Sequence, residues 1–358
     1  MKKTLCLNMI VKNEAKVIER CLLSLQNLID YWVIADTGSS DGTQTLIQEM
    51  LKNIPGEFYE RPWVDFAYNR NEILSFSQRK GDYILLIDAD EWFEFLTKPF
   101  YLPALTKDCY AIIHRSEGID FQRAVLLNNH LDWKWIGAIH EQPECTKKPS
   151  IGFIPNWVNI CTQDGHRSQD PEKFLKDIEI LENALAKDPQ NTRHIFYLAE
   201  TYSIVGEYLA AWKAYEKRVA LGSPHLEVFW SLYQIGRMKE LLKEPAESFI
   251  HTYCMAFQLR PSRAEPLFFL ANYYLSTGCV YLTYLIAKSA SMIPLPSDAH
   301  FVETWMYDWG ILLQLAKSAW ALGFKDEGKT AFQKILPIKT LPAQYRDEIL
   351  SVLNESCD

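Results

Sequence analysis

Along the first 160 residues the apolar positions switch repeatedly between two periods. Residues 4–11 form a short apolar run, and residues 14–28 return to apolar positions every three or four residues. Residues 31–35 are apolar and partly β-branched; the stretch Asp36-Thr37-Gly38-Ser39-Ser40-Asp41-Gly42-Thr43 that follows is dense in turn formers. Residues 45–52 and 69–78 read as helices, 83–87 as an apolar strand ending at Asp88, and 110–114 and 124–127 as later strands. Strand, helix, strand, helix, strand in that order predicts a mostly parallel sheet covered by helices.

The pattern changes near residues 168–171. From there on almost every segment has helical periodicity, broken at Pro189, Gly206, the Gly222-Ser223-Pro224 turn, Pro245, Pro261, Gly278, Gly323 and Pro337. Leu198-Ala199, Tyr202 and Gly206 are echoed 72 residues on, twice a period of 36, by Leu270-Ala271, Tyr274 and Gly278; Ala211 and Tyr215 follow in the first unit, and Ala287 and Ala290 in the second. Leu315-Ala316, Gly323 and Phe332 come 45 residues later, which requires an insertion through 294–300. Small residues that let paired helices approach, with large ones filling the notch, resemble the tetratricopeptide repeat. The chain therefore divides into an α/β domain at 1–168 and an all-α repeat domain at 169–358.

The 358 residues are 48% hydrophobic, enough for one large core or two ordinary ones. The net charge is −8; residues 1–170 hold 18 basic and 23 acidic side chains, and the remainder 19 and 22. Neither half carries the basic footprint of a nucleic-acid or anionic-membrane binder, so a phosphate ligand would need a metal or backbone N–H groups. The eight cysteines show no C-x-x-C spacing, which argues against a zinc finger and fits a reducing, cytoplasmic setting. Asn8 and Lys12 break the apolar start, which reads as a buried strand rather than a signal peptide. No apolar run reaches the ~18 residues a membrane span needs.

The candidate chemistry collects after the predicted strands. Residues 84–87 run directly into Asp88-Ala89-Asp90-Glu91, two carboxylates at i and i+2. At the carboxyl end of a central parallel strand they stand where open α/β sheets bind ligands. Neighbouring acids repel one another and persist where a cation or hydroxyls offset the cost; a helix cap is the plainer reading. Asp36 closes the preceding strand, and its carboxylate can accept from a nucleobase N–H, with Gly38 allowing close backbone approach. Val11-Lys12-Asn13-Glu14 follows the first strand. Arg70, in Asn69-Arg70-Asn71, can pair with a diphosphate or with a surface acid. Trp133 and Trp135 alternate along an extended stretch, as a sugar platform or as core.

In order and spacing, residues 7–14, 33–43, 69–71 and 88–90 together resemble a family-2 glycosyltransferase. Trp135-Ile136-Gly137-Ala138-Ile139-His140-Glu141 and Asp164-Gly165-His166-Arg167-Ser168 are similar to segments of those bacterial and viral members that carry tetratricopeptide repeats. The resemblance implies a GT-A fold, a Rossmann-like, mostly parallel sheet that binds a nucleoside-diphosphate sugar, with uridine the expected base. It implies that Asp36 reads the base, that Val11, Asn13, Glu14 and Gly38 hold base and ribose, and that Asp88 and Ala89 lie near the ribose. Arg70 would approach the diphosphate. Asp90 would bind Mn²⁺ or Mg²⁺, with His140 or His166 as a further ligand; a histidine common before the Asp-Gly pair is replaced here by Cys161-Thr162-Gln163.

An inverting displacement needs a base on the acceptor side and electrophilic help for the leaving diphosphate. Glu141 is the expected base, with Asp132 and Glu91 as alternatives. The repeat domain is expected to hold a protein or peptide acceptor or to pair two copies of the chain. Trp212, Tyr215, Trp230 and Tyr233 belong either to its groove or, by the favoured reading, to its core; His194, His225, His251 and His300 are isolated. The competing reading is a non-catalytic repeat scaffold on a degenerate sugar-nucleotide domain. A nucleotidyltransferase is disfavoured because no glycine follows the first strand, and a dinucleotide-binding dehydrogenase because G-x-G-x-x-G is missing.

Overall fold

The computed structural model describes residues 2–97, 102–116, 118–223, 225–296 and 301–354. Pro224, His300 with the rest of 297–300, and Cys357 lie outside the described residues. Two compact units meet in sequence at Val205 and Gly206.

The strands of the first unit are β1 (Leu5–Val11), β2 (Tyr31–Asp36), β3 (Gly56–Glu60), β4 (Tyr83–Leu86), β5 (Glu91–Phe95), β6 (Cys109–Ser116), β7 (Ile119–Asn128), β8 (Trp133–Ile136), β9 (Gln142–Cys145) and β10 (Ile151–Cys161). Its helices are α1 (Ile18–Leu25), α2 (Thr43–Leu51), α3 (Phe66–Phe76), α4 (Lys173–Lys187) and α5 (Thr192–Ile204). In the main sheet the order is β3-β2-β1-β4-β7-β6-β10-β5, and β8 and β9 form a separate antiparallel ribbon. The four strands from β3 to β4 are mutually parallel. Beyond them β7 runs antiparallel to both β4 and β6, so the sheet is mixed.

Both faces of the central strands are covered. Leu5, Leu7, Met9, Leu85 and Ile87 share one core with Ile18, Leu22 and Leu25 of α1 and Ile47 and Leu51 of α2. Ile84 and Leu86, pointing the other way by the two-residue period of a strand, pack with Leu74 of α3, Leu127 and Trp135. The helix expected from residue 14 begins only at Ile18. The Glu14 and Ala15 N–H groups donate instead to Thr43 Oγ1 (2.8 Å) and Asp41 Oδ2 (3.0 Å), which ties this entry turn to the next loop. The unforeseen β3 and β5 are five residues each and mix Glu with aromatics, so neither gives an apolar run. Unforeseen β10 shifts register against β6 between Phe153 and Val158; Pro155, which has no N–H to donate, lies in that interval.

In the first unit the last strand ends at Cys161 and long helices begin at Lys173, near the change in sequence pattern at 168, whereas that compact unit continues to Val205 and keeps α4 and α5. In the second unit come α6 (Tyr208–Ala220), α7 (His225–Leu241), α8 (Ala246–Leu259), α9 (Glu265–Ser276), α10 (Val280–Ala290), α11 (Ile311–Ala321), α12 (Lys325–Ile335) and α13 (Ala343–Asn354). Neighbours in sequence pack on one another from α6 through α12. The repeated small residues lie in these cores: Ala271 and Ala287 meet Leu315 and Ala319, and Ala316 meets Ala331 and Phe332. Tyr215, Trp230 and Tyr233 are buried, and Trp212 is half-buried, donating to Glu216. Among the described residues no helix is long and apolar enough to cross a membrane, and the seven described cysteines are unpaired.

Candidate active site

Because β1, β2 and β4 are parallel, their following loops emerge at one edge. Val11 and Asp36 are register partners at the ends of β1 and β2, and Thr37 donates to the Val11 carbonyl from both N–H (2.9 Å) and Oγ1 (3.0 Å). The Val11 side chain is buried in the core, so only its backbone belongs to the rim. Asn13 adopts a left-handed φ of 57°; its N–H donates to Ser39 Oγ (2.7 Å) and its Oδ1 accepts from Ser40 N–H (2.8 Å). The two loops are thus sewn together around Asp36.

Asp36 is 2% exposed. Its Oδ1 accepts the N–H groups of Gly38 (2.9 Å) and Ser39 (2.8 Å). Its Oδ2 is buried and has no hydrogen-bond partner among the described residues. A buried carboxylate oxygen without a donor is costly, and a ligand N–H would remove that cost.

The acids after β4 have opposite environments. Asp88 Oδ1 accepts from Arg70 Nη2 (2.6 Å) and Oδ2 from Arg123 Nη2 (3.0 Å). Although burial opposes it, the two guanidiniums hold the Asp88 carboxyl well below the usual range. Asp90 has no oppositely charged side chain paired with it among the described residues. Burial first, and then Asp88 and Glu91, push it from 3.8 up to about 7. Glu14 across the rim is likewise pushed up to about 7, mainly by burial, with Asp90, Asp41 and Asp88 adding to it against a hydrogen bond from His166 N–H. Ala89 between the two aspartates is buried.

Each residue of Asn69-Arg70-Asn71 has a separate task on α3. Asn69 fixes the loop before the helix, accepting from Val64 N–H (2.9 Å) and donating to the Pro62 carbonyl (3.0 Å). Asn71 clamps the backbone of Trp135 with reciprocal bonds of 2.8 and 2.9 Å. Arg70, 7% exposed, lies 4.9 Å from the Trp135 ring and bridges Asp88 to Glu141, donating from Nε to Glu141 Oε1 at 2.5 Å. Trp135 is therefore core beneath an arginine, and Trp133 donates to the Asn128 carbonyl.

The 162–166 loop is bolted to the same turn. Arg20 of α1 holds Asp164 through both carboxylate oxygens, donates to the Asp90 carbonyl (2.9 Å) and Thr162 (2.8 Å), and lies over Trp92. Gly165 presses on Asp90 so closely that a Cβ there would lie 2.7 Å from Asp90 Oδ2. His166 follows, with Nε2 3.5 Å from Asn13 Nδ2. The His140 ring is stacked on Tyr197 with centroids 4.0 Å apart.

Glu91 is corrected as an alternative base. It is 2% exposed, Oε1 accepts from Arg123 (2.6 Å), and Oε2 from Asn159 (2.8 Å) and Asp88 N–H (3.1 Å), leaving no oxygen free for a substrate proton. Glu91, His114 and Cys161 come close enough to share a metal ion. Arg123 already neutralises Glu91 there, and burial keeps the His114 imidazole neutral, down to about 4, and the Cys161 thiol protonated, up to about 12. The trio is a packed polar network. Asp132 is exposed on the loop before β8. Arg20 and Arg123 were not foreseen, and Gly165 was named only within the Asp164–Ser168 segment; a lone arginine within an apolar strand or helix was the available signal for the first two.

Residues 6–137 match the family model described as Glycosyl transferase family 2. The chain is 26% identical over 208 residues to the SPbeta prophage-derived glycosyltransferase SunS of Bacillus subtilis, covering 54% of this chain and 48% of that one. A TPR repeat-containing protein of Synechococcus elongatus is 36% identical over 84 residues, 23% of this chain and 19% of its own. The chain thus spans about half the length, or less, of the curated relatives it matches. Among solved structures, that of MamA aligns with 46% of this chain and 88% of its own at 19% identity and a TM-score of 0.38.

Proposed function

We propose that this chain, with its family-2 glycosyltransferase domain at residues 6–137, moves a sugar from a nucleoside diphosphate, uridine diphosphate by expectation, to an acceptor with inversion at the anomeric carbon. The observation that carries the reading is the orphaned Oδ2 of buried Asp36, at the end of a parallel strand and beside the loop after β1. A base N–H donated to that oxygen would give it the partner it lacks among the described residues. Asn13, Glu14 and Gly38 line the same rim, and Asp88 stands beside it for the ribose.

We read the carboxylates of this rim as the seat of a divalent cation; among the described residues the ligand atoms of Asp90, Glu14 and His166 do not yet lie as close together as those of Glu91, His114 and Cys161, so they would draw in around the ion. Asp90 and Glu14 offer hard carboxylate oxygens, both pushed up to about 7 chiefly by burial; Gly165 packs against Asp90, and the His166 N–H donates to Glu14. Asp90 would hold Mn²⁺ or Mg²⁺, with His166, which follows the Gly165 packed on Asp90, as the nitrogen ligand. When bound, such an ion offsets the charge that gathers on the leaving diphosphate. Arg70 bridges Asp88 and Glu141, and Glu141 takes the acceptor proton as the new glycosidic bond forms and the diphosphate leaves. A protein or peptide acceptor, or a second copy, would use the helical unit; the exposed Tyr281, Leu282 and Leu285 of α10 support a contact surface there.

The test is a donor-hydrolysis screen of uridine and guanosine diphosphate sugars with Mn²⁺, repeated on Asp90→Ala and Glu141→Gln. Hydrolysis should be lost with Asp90→Ala. Glu141→Gln should keep donor binding, read as a thermal shift, and lose turnover. Unchanged hydrolysis in Asp90→Ala sinks the cation assignment, and no thermal shift of the wild type with any nucleotide and Mn²⁺ favours the scaffold reading.

A further inference from the structure

We infer that α5 is a positioning element of the active site: Arg193 and Tyr197 clamp the turn at 137–141 and thereby keep Glu141 on Arg70. The inference rests on the part given to Glu141 above.

His140 is not glycine, yet its φ is +51°. Left-handed backbone is uncommon outside glycine, although histidine adopts it more readily than most, and contacts that hold the turn favour it. Here those contacts come from one helix. Arg193 donates to the His140 carbonyl from Nε (3.0 Å) and Nη2 (2.6 Å), a two-pronged grip on one oxygen. The His140 ring lies nearly parallel to Tyr197, 11° between planes, and the Arg193 guanidinium sits 4.9 Å from that same Tyr197 ring. One residue along α5, His194 Nε2 faces the Ala138 N–H at 3.4 Å.

The turn is tight on its inner side as well. Gly137 has φ +113°, and a Cβ there would lie 3.2 Å from Glu141 Cα. Ile139, between the gripped residues, is buried with Leu181 and Leu198, and Phe66 at the start of α3 packs against them. Glu141 follows His140 directly and carries the ion pair to Arg70. A change of φ at His140 rotates the next peptide and swings the Glu141 side chain off Arg70. Arg193 and Tyr197 both hold His140, the residue next to Glu141, so the influence assigned to them passes through the turn.

The experiment uses the full chain with Arg193→Ala and Tyr197→Leu, and Arg193→Lys as the conservative control. Hydrogen exchange of the amides at 138–141 reads the clamp without any substrate. It should quicken roughly tenfold or more in the first two variants and less in Arg193→Lys, which keeps a donor but not the planar fork. In donor hydrolysis kcat should fall by about tenfold with the donor KM unchanged. Unaltered exchange at 138–141 in both variants overturns the inference. So does quickened exchange with full kcat in Arg193→Ala. A wild type that hydrolyses no donor removes the reading of Glu141 as base, while the exchange measurement still decides whether α5 grips the turn.

Discussion

Two aspartates two residues apart should respond to the same substitution with opposite signs. Asp90 is pushed from 3.8 to about 7 in the ligand-free fold. At ~1.4 kcal/mol per tenfold in acidity, its ionisation opposes folding by roughly 4 kcal/mol at most above pH 7, and about half that after allowing for partial solvent access. The sign follows from proton linkage. Between pH 4 and 7 the folded chain binds the proton that the unfolded chain has released, so stability falls as pH rises through that window and stays low above it. Asp90→Asn removes the penalty. Without divalent ions it should melt higher than the wild type at pH 8, by about 5–10 °C at ~2–4 °C per kcal/mol, and by much less at pH 5.

Asp88→Asn should do the reverse. It leaves Arg70 and Arg123, each now with one carboxylate, and should cost about 3 kcal/mol at either pH. Thermal melts of the three proteins in chelator, at pH 5 and 8, read the difference. Added Mn²⁺ should raise the wild type at pH 8 and leave Asp90→Asn unmoved. An Asp90→Asn protein that melts at or below the wild type in chelator at pH 8 refutes the reasoning, as does one that gains as much from Mn²⁺.

Two further substitutions probe the rim. Asp36→Asn keeps the acceptor for Gly38 and Ser39 but turns the orphaned oxygen into a donor; titration calorimetry should find uridine diphosphate binding weakened roughly 10–100-fold, with the Mn²⁺ thermal shift retained. Gly165→Ala drives a methyl to 2.7 Å from Asp90 Oδ2 and should weaken Mn²⁺ about tenfold for about 1 kcal/mol of stability; unchanged Mn²⁺ affinity would show that Asp90 is free to yield.

What the chain discloses in advance follows from how local each cause is. The strands at β1, β2 and β4 are buried on both faces, so their apolar runs are continuous and readable. The turn after β2 is legible because its residues satisfy one another within a few positions, as Asp36 does with Gly38 and Ser39. β5 and β10 escaped because their pairing is made at long range and their patterns are broken by Glu and Pro. The partners of Asp88 escaped for the same reason: Arg123 reaches it from 35 residues away on a strand whose sequence reads as core. The start of α1 was misplaced because side chains of the following loop compete for its first N–H groups.

Glu141, Arg70, Asp88, Arg123 and Glu91 alternate in sign along one connected ladder, three anions to two cations. Both guanidiniums are already paired with two carboxylates each, so an arriving diphosphate finds no surplus of positive charge on these rungs. Nucleotide and cation should therefore load interdependently, each tightening the hold on the other, and the order in which they are mixed with the protein becomes a measurable property of the ladder rather than of either ligand.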